Sequence, residues 1–244
     1  MTFEEAQNYI QEKNRLGSVL GLDNIKELLS RLDNPQDKCS VIHIAGTNGK
    51  GSILACLNSV LIGAGYKVGR YTSPTIFCYL ERFQIDEEYM EEAVFASYLT
   101  RVADLVDDMA LEGYQVTAFE IETAIAFLYF YEQKVDIILL ETGMGGRLDA
   151  TNVVKHPLCT ILSSISYDHM AILGDTIEAI AHEKCGILRD HVPCVVYPVN
   201  DLVMPVIKEE CRTHNISPIV PDLSQVVVKD HGLKYENFDY KNVD

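Results

Sequence analysis

The chain alternates short β-rich apolar runs with segments of helical length, and this alternation restricts its fold more than any other feature. Residues 135–140 are typical of these runs, since they form a strand-like segment that is apolar on both faces. Such strands suit a parallel sheet that helices cover on both sides. Further strands are predicted at residues 39–45, 67–72, 159–163, 193–197 and 217–220. The sequence therefore predicts an α/β fold with a doubly wound, mostly parallel sheet.

Helices are predicted between these strands. Thr2 is a candidate N-cap for a helix that runs through Lys13, with Glu5 at the spacing of a capping box. Further helices are predicted from Asp23 to just before Pro35 and at residues 50–61, 117–132, 176–188 and 202–214, and hairpin strands at 225–244. In a doubly wound sheet ligands bind beyond the carboxyl ends of the strands. Functional residues are therefore expected in the loops directly after strands.

Length and charge limit the classes of partner. The 244 residues fit one large α/β domain, and 48% hydrophobic with 23% charged residues is ordinary for a globular chain. A net charge of −16 argues against binding to nucleic acid or to anionic membranes.

Ten carboxylates and two arginines lie between Glu81 and Glu112. An amphipathic helix with these carboxylates on its solvated side explains them without a metal site, its apolar side carrying Met90, Val94, Tyr98, Val102, Leu105 and Met109.

Cysteine usage and the chain start indicate a reducing compartment. Seven cysteines without a C-x-x-C pair argue against a disulfide framework or a structural zinc site. The first residues are acidic and lack a signal-peptide pattern, and no run reaches the roughly 18 apolar residues of a membrane span. We expect a cytoplasmic monomer whose partners are small molecules.

A glycine-rich loop after the strand at 39–45 is the strongest chemical signal. It reads Gly46, Thr47, Asn48, Gly49, Lys50, Gly51, Ser52 and opens a helix. Glycines allow backbone N–H groups to surround an anion, the helix N-terminus adds partial positive charge, and a lysine reaches the terminal phosphates. The spacing differs from the common G-x-x-x-x-G-K-[ST] pattern. A phosphate loop is nevertheless favoured over a plain glycine turn, because a strand precedes the loop and a helix follows it.

Four other loops or helices carry candidate groups. Glu141 directly follows the strand at 135–140 and could bind a nucleotide's Mg²⁺, although a surface acid in a crossover loop would look the same. Ser73 follows the end of the predicted strand at 67–72. It could supply a hydroxyl ligand or simply start a turn. His169, beside Asp168, also follows a strand. Lys184 lies within a predicted helix and by chemistry alone resembles any exposed helix lysine.

Taken together, these segments resemble one enzyme family. The matching segments are residues 43–52 (HIAGTNGKGS), 72–74 (TSP), 117–120 (TAFE), 141–152 (ETGMGGRLDATN) and 168–187. In this order they are similar to folylpolyglutamate synthases and bifunctional dihydrofolate synthases of the Mur ligase superfamily. The resemblance covers nearly the whole chain and implies the P-loop NTPase-like central domain of a Mur ligase.

The resemblance implies an ATP-dependent carboxylate–amine ligase. In that family ATP converts a carboxylate to an acyl phosphate, and the amine of L-glutamate attacks it to form an amide on a folate or on dihydropteroate. By resemblance, residues 46–52 hold the ATP phosphates, with Lys50 among the catalytic groups. Ser73, Glu141 and His169 match the family's Mg²⁺ ligands. Lys184 matches a carbamylated lysine, and together with His169 it is also expected in catalysis. The matching substrate contacts are Thr117, Phe119, Glu120, Arg147 and Asp149.

The chain departs from the family pattern in two ways. Residues 75–76 and 80–83 read TI and LERF where the family often has His-Leu and Asn-Glu-Arg-Ile. The chain also ends before the family's Asp-Gly-Ala-His-Asn segment and before a C-terminal Rossmann-like domain that supplies part of the glutamate site. Residues 1–244 are therefore interpreted as an ATP-binding domain incomplete at its C-terminus, expected to be inactive in ligation by itself.

Two other functions are compatible with the same motifs. Another Mur-type ligase, such as a muramyl peptide or cyanophycin synthetase, would share the phosphate loop and the modified lysine, although residues 117–120 and 145–149 favour the folate branch. A non-catalytic ATP-binding module is the second alternative. A generic P-loop kinase or GTPase fits less well, because the glycine spacing differs and no N-K-x-D guanine-reading element is present.

Overall fold

An eight-stranded, mostly parallel sheet organises the chain. The computed structural model describes residues 1–15, 17, 21–168, 170–198, 201–232 and 235–241. The strands are β1 (Val41–Ala45), β2 (Val68–Tyr71), β3 (Phe83–Ile85), β4 (Glu88–Tyr89), β5 (Ile137–Glu141), β6 (Cys159–Leu162), β7 (Cys194–Val196) and β8 (Pro218–Ile219). Their order across the sheet is β4-β3-β2-β5-β1-β6-β7-β8. The six strands β2, β5, β1, β6, β7 and β8, neighbours in this order across the sheet, all pair in parallel. This confirms the predicted fold class.

Helices cover both faces of this sheet. They are α1 (Phe3–Asn14), α2 (Asp23–Arg31), α3 (Lys50–Gly63), α4 (Glu92–Leu111), α5 (Ala118–Glu132), α6 (Met170–Leu173), α7 (Ile177–Cys185) and α8 (Met204–Thr213). A separate two-stranded ribbon, β9 (Val226–Gly232) with β10 (Tyr235–Tyr240), follows. Among the described residues, no helix is both long and apolar enough to cross a bilayer.

Alternation along β5 explains why both faces are covered. Ile138 and Leu140 are buried in the core formed with α1, α2, α4 and α5. Leu139, one residue between them, is buried on the opposite face against Leu54 of α3. Because successive strand residues point to opposite faces, a strand that is apolar throughout requires a helix layer on each side.

Local signals at helix starts are confirmed in two places. Thr2 and Glu5 form the predicted capping box at α1. Thr117 and Glu120 form a second capping box at α5, which is buried along most of its length. Each cap satisfies backbone N–H groups that the first helical turn leaves without partners.

The acidic segment is helical only in its later part. Helix α4 buries Tyr98, Val102 and Met109 and exposes its aspartates, as predicted. Before it, β3 pairs antiparallel with β2, and β4 pairs antiparallel with β3. This edge was not predicted, because strands of three and two residues are too short to show a periodicity. Glu81 is also buried rather than solvated, since its carboxylate accepts hydrogen bonds from the backbone N–H groups of residues 76–78.

Candidate functional site

Four neighbouring parallel strands end at the same edge of the sheet. In spatial order these are β2, β5, β1 and β6. Glu141 is the last residue of β5. The loops that leave the other three strands contain Ser73, the glycine-rich loop at 46–49 and residues 163–168. The sheet order therefore brings together the predicted groups, which are far apart in sequence.

The glycine-rich loop has a backbone that only glycine fits. Gly46 has φ +152°, and a Cβ there would lie 1.8 Å from Oγ of Ser163. Gly49 has φ +85° and is the N-cap of α3, with no side chain capping the first turn. The first-turn N–H groups of a helix have no intrahelical acceptor, so here they are available to an anion.

Contacts to the β6 exit fix the loop in place. The Thr47 N–H donates to the carbonyl of Ser164 at 2.7 Å. The Thr47 hydroxyl donates to the carbonyl of Ser166 at 3.1 Å, and Ser164 Oγ donates to the carbonyl of Asn48, also at 3.1 Å. Hydrogen bonds within the protein thus hold the loop in this shape, which lowers the entropic cost of binding an anion there.

Lys50 lies over the loop and faces an acid. Its Nζ donates to the carbonyls of Gly46 at 3.1 Å and Thr47 at 3.3 Å. The same Nζ lies 3.8 Å from Oε1 of Glu141, and both side chains are largely buried. Gly51 and Ser52, in the first turn of α3, are exposed. The open side of the loop therefore combines a cation with free helix N–H groups.

Glu141 and Ser73 form an oxygen-rich pair next to Lys50. The Ser73 N–H donates to Oε2 of Glu141 at 3.4 Å, and Ser73 Oγ is buried without a hydrogen-bond partner. Burial raises the pKa of Glu141 to about 7, while Lys50 opposes the rise. Carboxylate and hydroxyl oxygens are the ligands that Mg²⁺ accepts, and the unsatisfied Ser73 Oγ fits a missing partner of this kind. Within the described part of the chain, no cluster of three or more His, Cys, Asp or Glu is placed to hold a metal by itself.

His169, the third predicted metal ligand, lies outside the described residues. Its predicted roles in metal binding and catalysis therefore remain predictions. Its neighbour Asp168 ends the described part of the loop after β6, at the sheet edge that carries Glu141 and the phosphate loop.

Lys184 is buried, which corrects the interpretation of it as an ordinary exposed helix lysine. It is 2% exposed, and its Nζ donates to the carbonyl of Gly46 at 2.9 Å. Burial, and then the ammonium group of Lys50, lower the pKa of Lys184 to about 8. The loop after β5 packs closely on α7 beside Lys184, since a Cβ on Gly146 would lie 2.8 Å from the Lys184 carbonyl. Burial of this kind depends on tertiary packing, so helix spacing could not reveal it.

A cleft of about 750 Å³ adjoins this edge. Four of the five predicted substrate residues line it, namely Thr117, Phe119, Glu120 and Asp149. Ser73 lines it as well, so the cleft and the oxygen pair share a residue. The loop after β5 is shaped around the aromatic ring, since a Cβ on Gly143 would lie 2.6 Å from Cζ of Phe119.

The structure does not place Arg147 among the residues lining the cleft. Its guanidinium group donates to the carbonyl of His182 at 3.2 Å and lies 3.9 Å from a carboxylate oxygen of Glu210. The side chain thus turns toward α7 and α8, where the Glu183 and Glu210 carboxylates stabilise it. Arg147 as a substrate contact therefore remains a prediction.

Two of the lining carboxylates accept hydrogen bonds from neighbouring residues. Glu120 accepts from the N–H of Thr117 at 2.8 Å and from its hydroxyl at 2.9 Å. Asp149 accepts from the N–H groups of Met144 at 2.8 Å and Thr151 at 3.0 Å. Both residues therefore shape the cleft wall in addition to facing it.

Sequence reasoning missed a third carboxylate in the cleft. Glu122 lines it together with Tyr79 and Arg82. The available signal was an acid in the middle of the apolar stretch of residues 118–130. Its partners could not be inferred, because they come from a turn some forty residues earlier in the chain.

This architecture defines a doubly wound α/β domain of the phosphate-loop class. Residues 44–222 match the model of the Mur ligase middle domain. The match covers more than half of the chain, and the chain belongs to the Mur ligase family.

Named relatives agree with this family. The chain is 42% identical over 214 residues to a dihydrofolate synthase/folylpolyglutamate synthase of Bacillus subtilis, covering 87% of this chain and 50% of the relative. A folylpolyglutamate synthase structure from Thermotoga maritima matches with a TM-score of 0.88 and 36% identity, covering 98% of this chain and 54% of that one. A structure described as an FPGS-AMPPCP-folate complex matches with a TM-score of 0.86 and 33% identity, covering 95% of this chain and 57% of that one. The chain thus spans about half the length of the curated relatives it matches.

Proposed function

We propose that the chain is the ATP-binding part of a ligase that joins L-glutamate to folates, to dihydropteroate, or to both. In this reaction the terminal phosphoryl group of ATP moves to a substrate carboxylate, and ADP leaves. The amine of L-glutamate then attacks the acyl phosphate, and an amide and phosphate are formed. One observation carries the proposal: Ser73 lines a large cleft and also pairs with Glu141, which lies beside Lys50 of the phosphate loop.

The phosphate loop supports the ATP half of this reaction. Lys50 and the first-turn N–H groups of α3 present positive charge where a triphosphate would lie. A carboxylate becomes a useful electrophile only when phosphate is its leaving group, and phosphoryl transfer needs charge neutralisation. A relative with the same fold is described as a complex with AMPPCP, an ATP analogue, which agrees with this assignment.

We assign Mg²⁺ to the oxygen pair of Ser73 and Glu141, with His169 as the third protein ligand. When bound, Mg²⁺ neutralises phosphate charge during phosphoryl transfer. The protein's part is to hold two oxygens beside Lys50, so that metal and lysine act on the same phosphates. A bound cation would also favour the ionised form of Glu141 and offset the burial that raises its pKa.

We further propose that Lys184 is carbamylated. Its neutral amine adds to CO₂, forming an N–C bond and releasing one proton, and the group becomes an anion. Only the neutral amine reacts, and a pKa lowered to about 8 makes that form accessible near neutral pH. An unmodified ammonium at this position lies beside Lys50, whereas a carbamate there would pair with it.

The cleft supports a flat heterocyclic substrate. Aromatic and apolar side chains line it, including Phe119, and several polar groups converge on it. Its volume of about 750 Å³ is within the range of small-molecule sites. A substrate bound here could place a carboxylate near the phosphate loop, because Ser73 at the cleft pairs with Glu141, which lies 3.8 Å from Lys50.

A ligand panel tests the proposal with the unaltered chain. Titrations with Mg·AMPPCP, folate, dihydropteroate and a UDP-muramyl peptide would be followed by calorimetry. We expect the unaltered chain to bind Mg·AMPPCP and at least one pterin ligand. We expect Lys50→Met to lose nucleotide binding and to keep pterin binding. Binding of the UDP-muramyl ligand instead would assign the chain to the muramyl branch. Nucleotide binding with no pterin binding would indicate a nucleotide-binding module and overturn the folate assignment.

A further inference from the structure

Arg189 is a half-buried cation that hydrogen-bonds to neutral groups. It lies shortly after the end of α7, and burial lowers the pKa of its guanidinium group. Its acceptors in the described part of the chain are all carbonyl or side-chain amide oxygens, and none is a carboxylate. Moving a cation out of water is unfavourable when no counter-ion is present. Charge pairing therefore does not explain the position of Arg189.

The Arg189 guanidinium makes five hydrogen bonds. Its Nε donates to the carbonyl of Val154 at 3.1 Å. One terminal nitrogen donates to the carbonyls of Gly186 at 3.1 Å and Leu188 at 2.9 Å. The other donates to the carbonyl of Asn152 at 3.1 Å and to its Oδ1 at 2.7 Å. A guanidinium has five N–H donors in a fixed planar fork, so all of them are used here.

Asn152 completes the same set of contacts. It is 7% exposed, and its Nδ2 donates to the carbonyls of Arg147 at 2.9 Å and Gly186 at 3.0 Å. Its Oδ1 accepts from Arg189. We call these two side chains the Asn152–Arg189 clasp. The clasp ties residues 147–154, in the loop after β5, to residues 186–188, which directly follow α7.

The end of α7 packs on that loop without free space. A Cβ on Gly186 would lie 2.3 Å from Cα of Arg147, and the Arg147 N–H donates to the carbonyl of Glu183 at 2.8 Å. Lys184 lies in this last turn of α7, and its Nζ donates to the carbonyl of Gly46. The place of Lys184 Nζ at the phosphate loop therefore depends on how the end of α7 is held.

Stability alone does not account for the clasp. Apolar side chains can join two segments without taking a charge out of water. An arginine supplies something that they lack, because its rigid fork holds several acceptors in set directions. A lysine side chain, in contrast, has a flexible four-carbon stem. A fixed ammonium position therefore requires a fixed backbone beneath it.

We propose that Asn152 and Arg189 are positioning residues that hold the last turn of α7 on the loop after β5 and so keep Lys184 Nζ at the phosphate loop. Both act through Lys184. The inference rests on the proposed function, in which Lys184 serves the nucleotide site, and it adds the side chains that set the position of this lysine.

A double-mutant cycle tests the inference with the full chain. Mg·AMPPCP affinity is measured by calorimetry for Lys184→Met, Arg189→Met and the double variant, at a temperature where circular dichroism shows each to be folded. We expect each single variant to bind at least tenfold more weakly than the unaltered chain. The double variant should bind within about threefold of Lys184→Met, because no lysine is left to position. Arg212→Met is the matched control and should keep full affinity, since Arg212 is exposed on α8 and pairs with Glu209.

Asn152→Ala is taken through the same cycle, so that the test does not depend on the folding of one variant. It removes the uncharged half of the clasp, and we expect the same loss and the same dependence on Lys184. Full nucleotide affinity in Lys184→Met or in either clasp variant would overturn the inference alone. So would losses that multiply in the double variants, because they would show that the clasp acts independently of Lys184. Failure of the unaltered chain to bind Mg·AMPPCP would overturn the proposed function together with it.

Discussion

Replacing Lys184 by methionine removes a buried ammonium group while keeping a side chain of similar length. Lys184 is 2% exposed, and its pKa falls from 10.5 to about 8, mainly through burial and then through Lys50. At about 1.36 kcal/mol for each pKa unit, the protonated lysine costs the fold about 3 kcal/mol. The variant loses one hydrogen bond to the Gly46 carbonyl, worth about 1 kcal/mol, although Lys50 still donates to that oxygen. We expect Lys184→Met to be about 2 kcal/mol more stable than the unaltered chain at pH 7.

The advantage of the variant should disappear at high pH. Because the pKa of Lys184 is lower in the folded state, the unfolded chain holds this proton more tightly. The unaltered chain therefore regains stability as the pH rises from about 8 toward 10.5, while the methionine variant does not. The difference between the two should shift by roughly 3 kcal/mol across that interval and end near zero or slightly in favour of lysine.

Urea unfolding in CO₂-free buffer from pH 7 to pH 10 measures this difference. Other groups that titrate in this range are common to both proteins and cancel in the comparison. Lys208→Met, a change at an exposed position on α8, serves as the control and should show no such pH dependence. Parallel stability profiles for Lys184→Met and the unaltered chain would refute the buried-cation argument. Added bicarbonate should stabilise only proteins that retain Lys184, if carbamylation occurs.

Two further substitutions test the phosphate loop and the oxygen pair. Gly46→Ala should lower stability by more than about 2 kcal/mol in urea unfolding and abolish Mg·AMPPCP binding, because its Cβ would meet Ser163 Oγ at 1.8 Å. Gly63→Ala, which has open space around the added Cβ, should leave stability and Mg·AMPPCP binding unchanged. Equal losses in Gly46→Ala and Gly63→Ala would contradict the steric reasoning. Glu141→Gln should weaken AMPPCP binding when Mg²⁺ is present and have little effect when it is absent, as measured by calorimetry. The same loss without Mg²⁺ would argue against Glu141 as a metal ligand.

Features set by local pattern could be predicted from sequence. The capping box at Thr2 and the strand apolar on both faces at β5 depend on residues close in sequence, and the structure has both. The loop at 46–52 was recognisable because strand, glycines and helix are contiguous. The antiparallel edge was missed, since β4 has only two residues and its turn uses Asp86 and Glu87 at positive φ without glycine.

Features set by tertiary packing could not be predicted in this way. Lys184 has the sequence context of a solvated helix lysine, but it is buried and its Nζ donates to the Gly46 carbonyl of the glycine-rich loop. Arg147 follows the glycines of the loop after β5, and its ion pairs with carboxylates on α7 and α8 come from distant parts of the chain. Glu122 is visible as an acid in an apolar helix, but its pairing with Arg82 depends on the 79–82 turn.

A crystal structure with Mn²⁺ and AMPPCP tests the central claim most directly, because anomalous scattering locates the manganese ion independently of the nucleotide. The account predicts a manganese peak at roughly 2 Å from Ser73 Oγ and from a carboxylate oxygen of Glu141, with the triphosphate over the first turn of α3 and in contact with Lys50. A manganese ion bound away from Glu141, or a triphosphate bound away from residues 46–52, would contradict it.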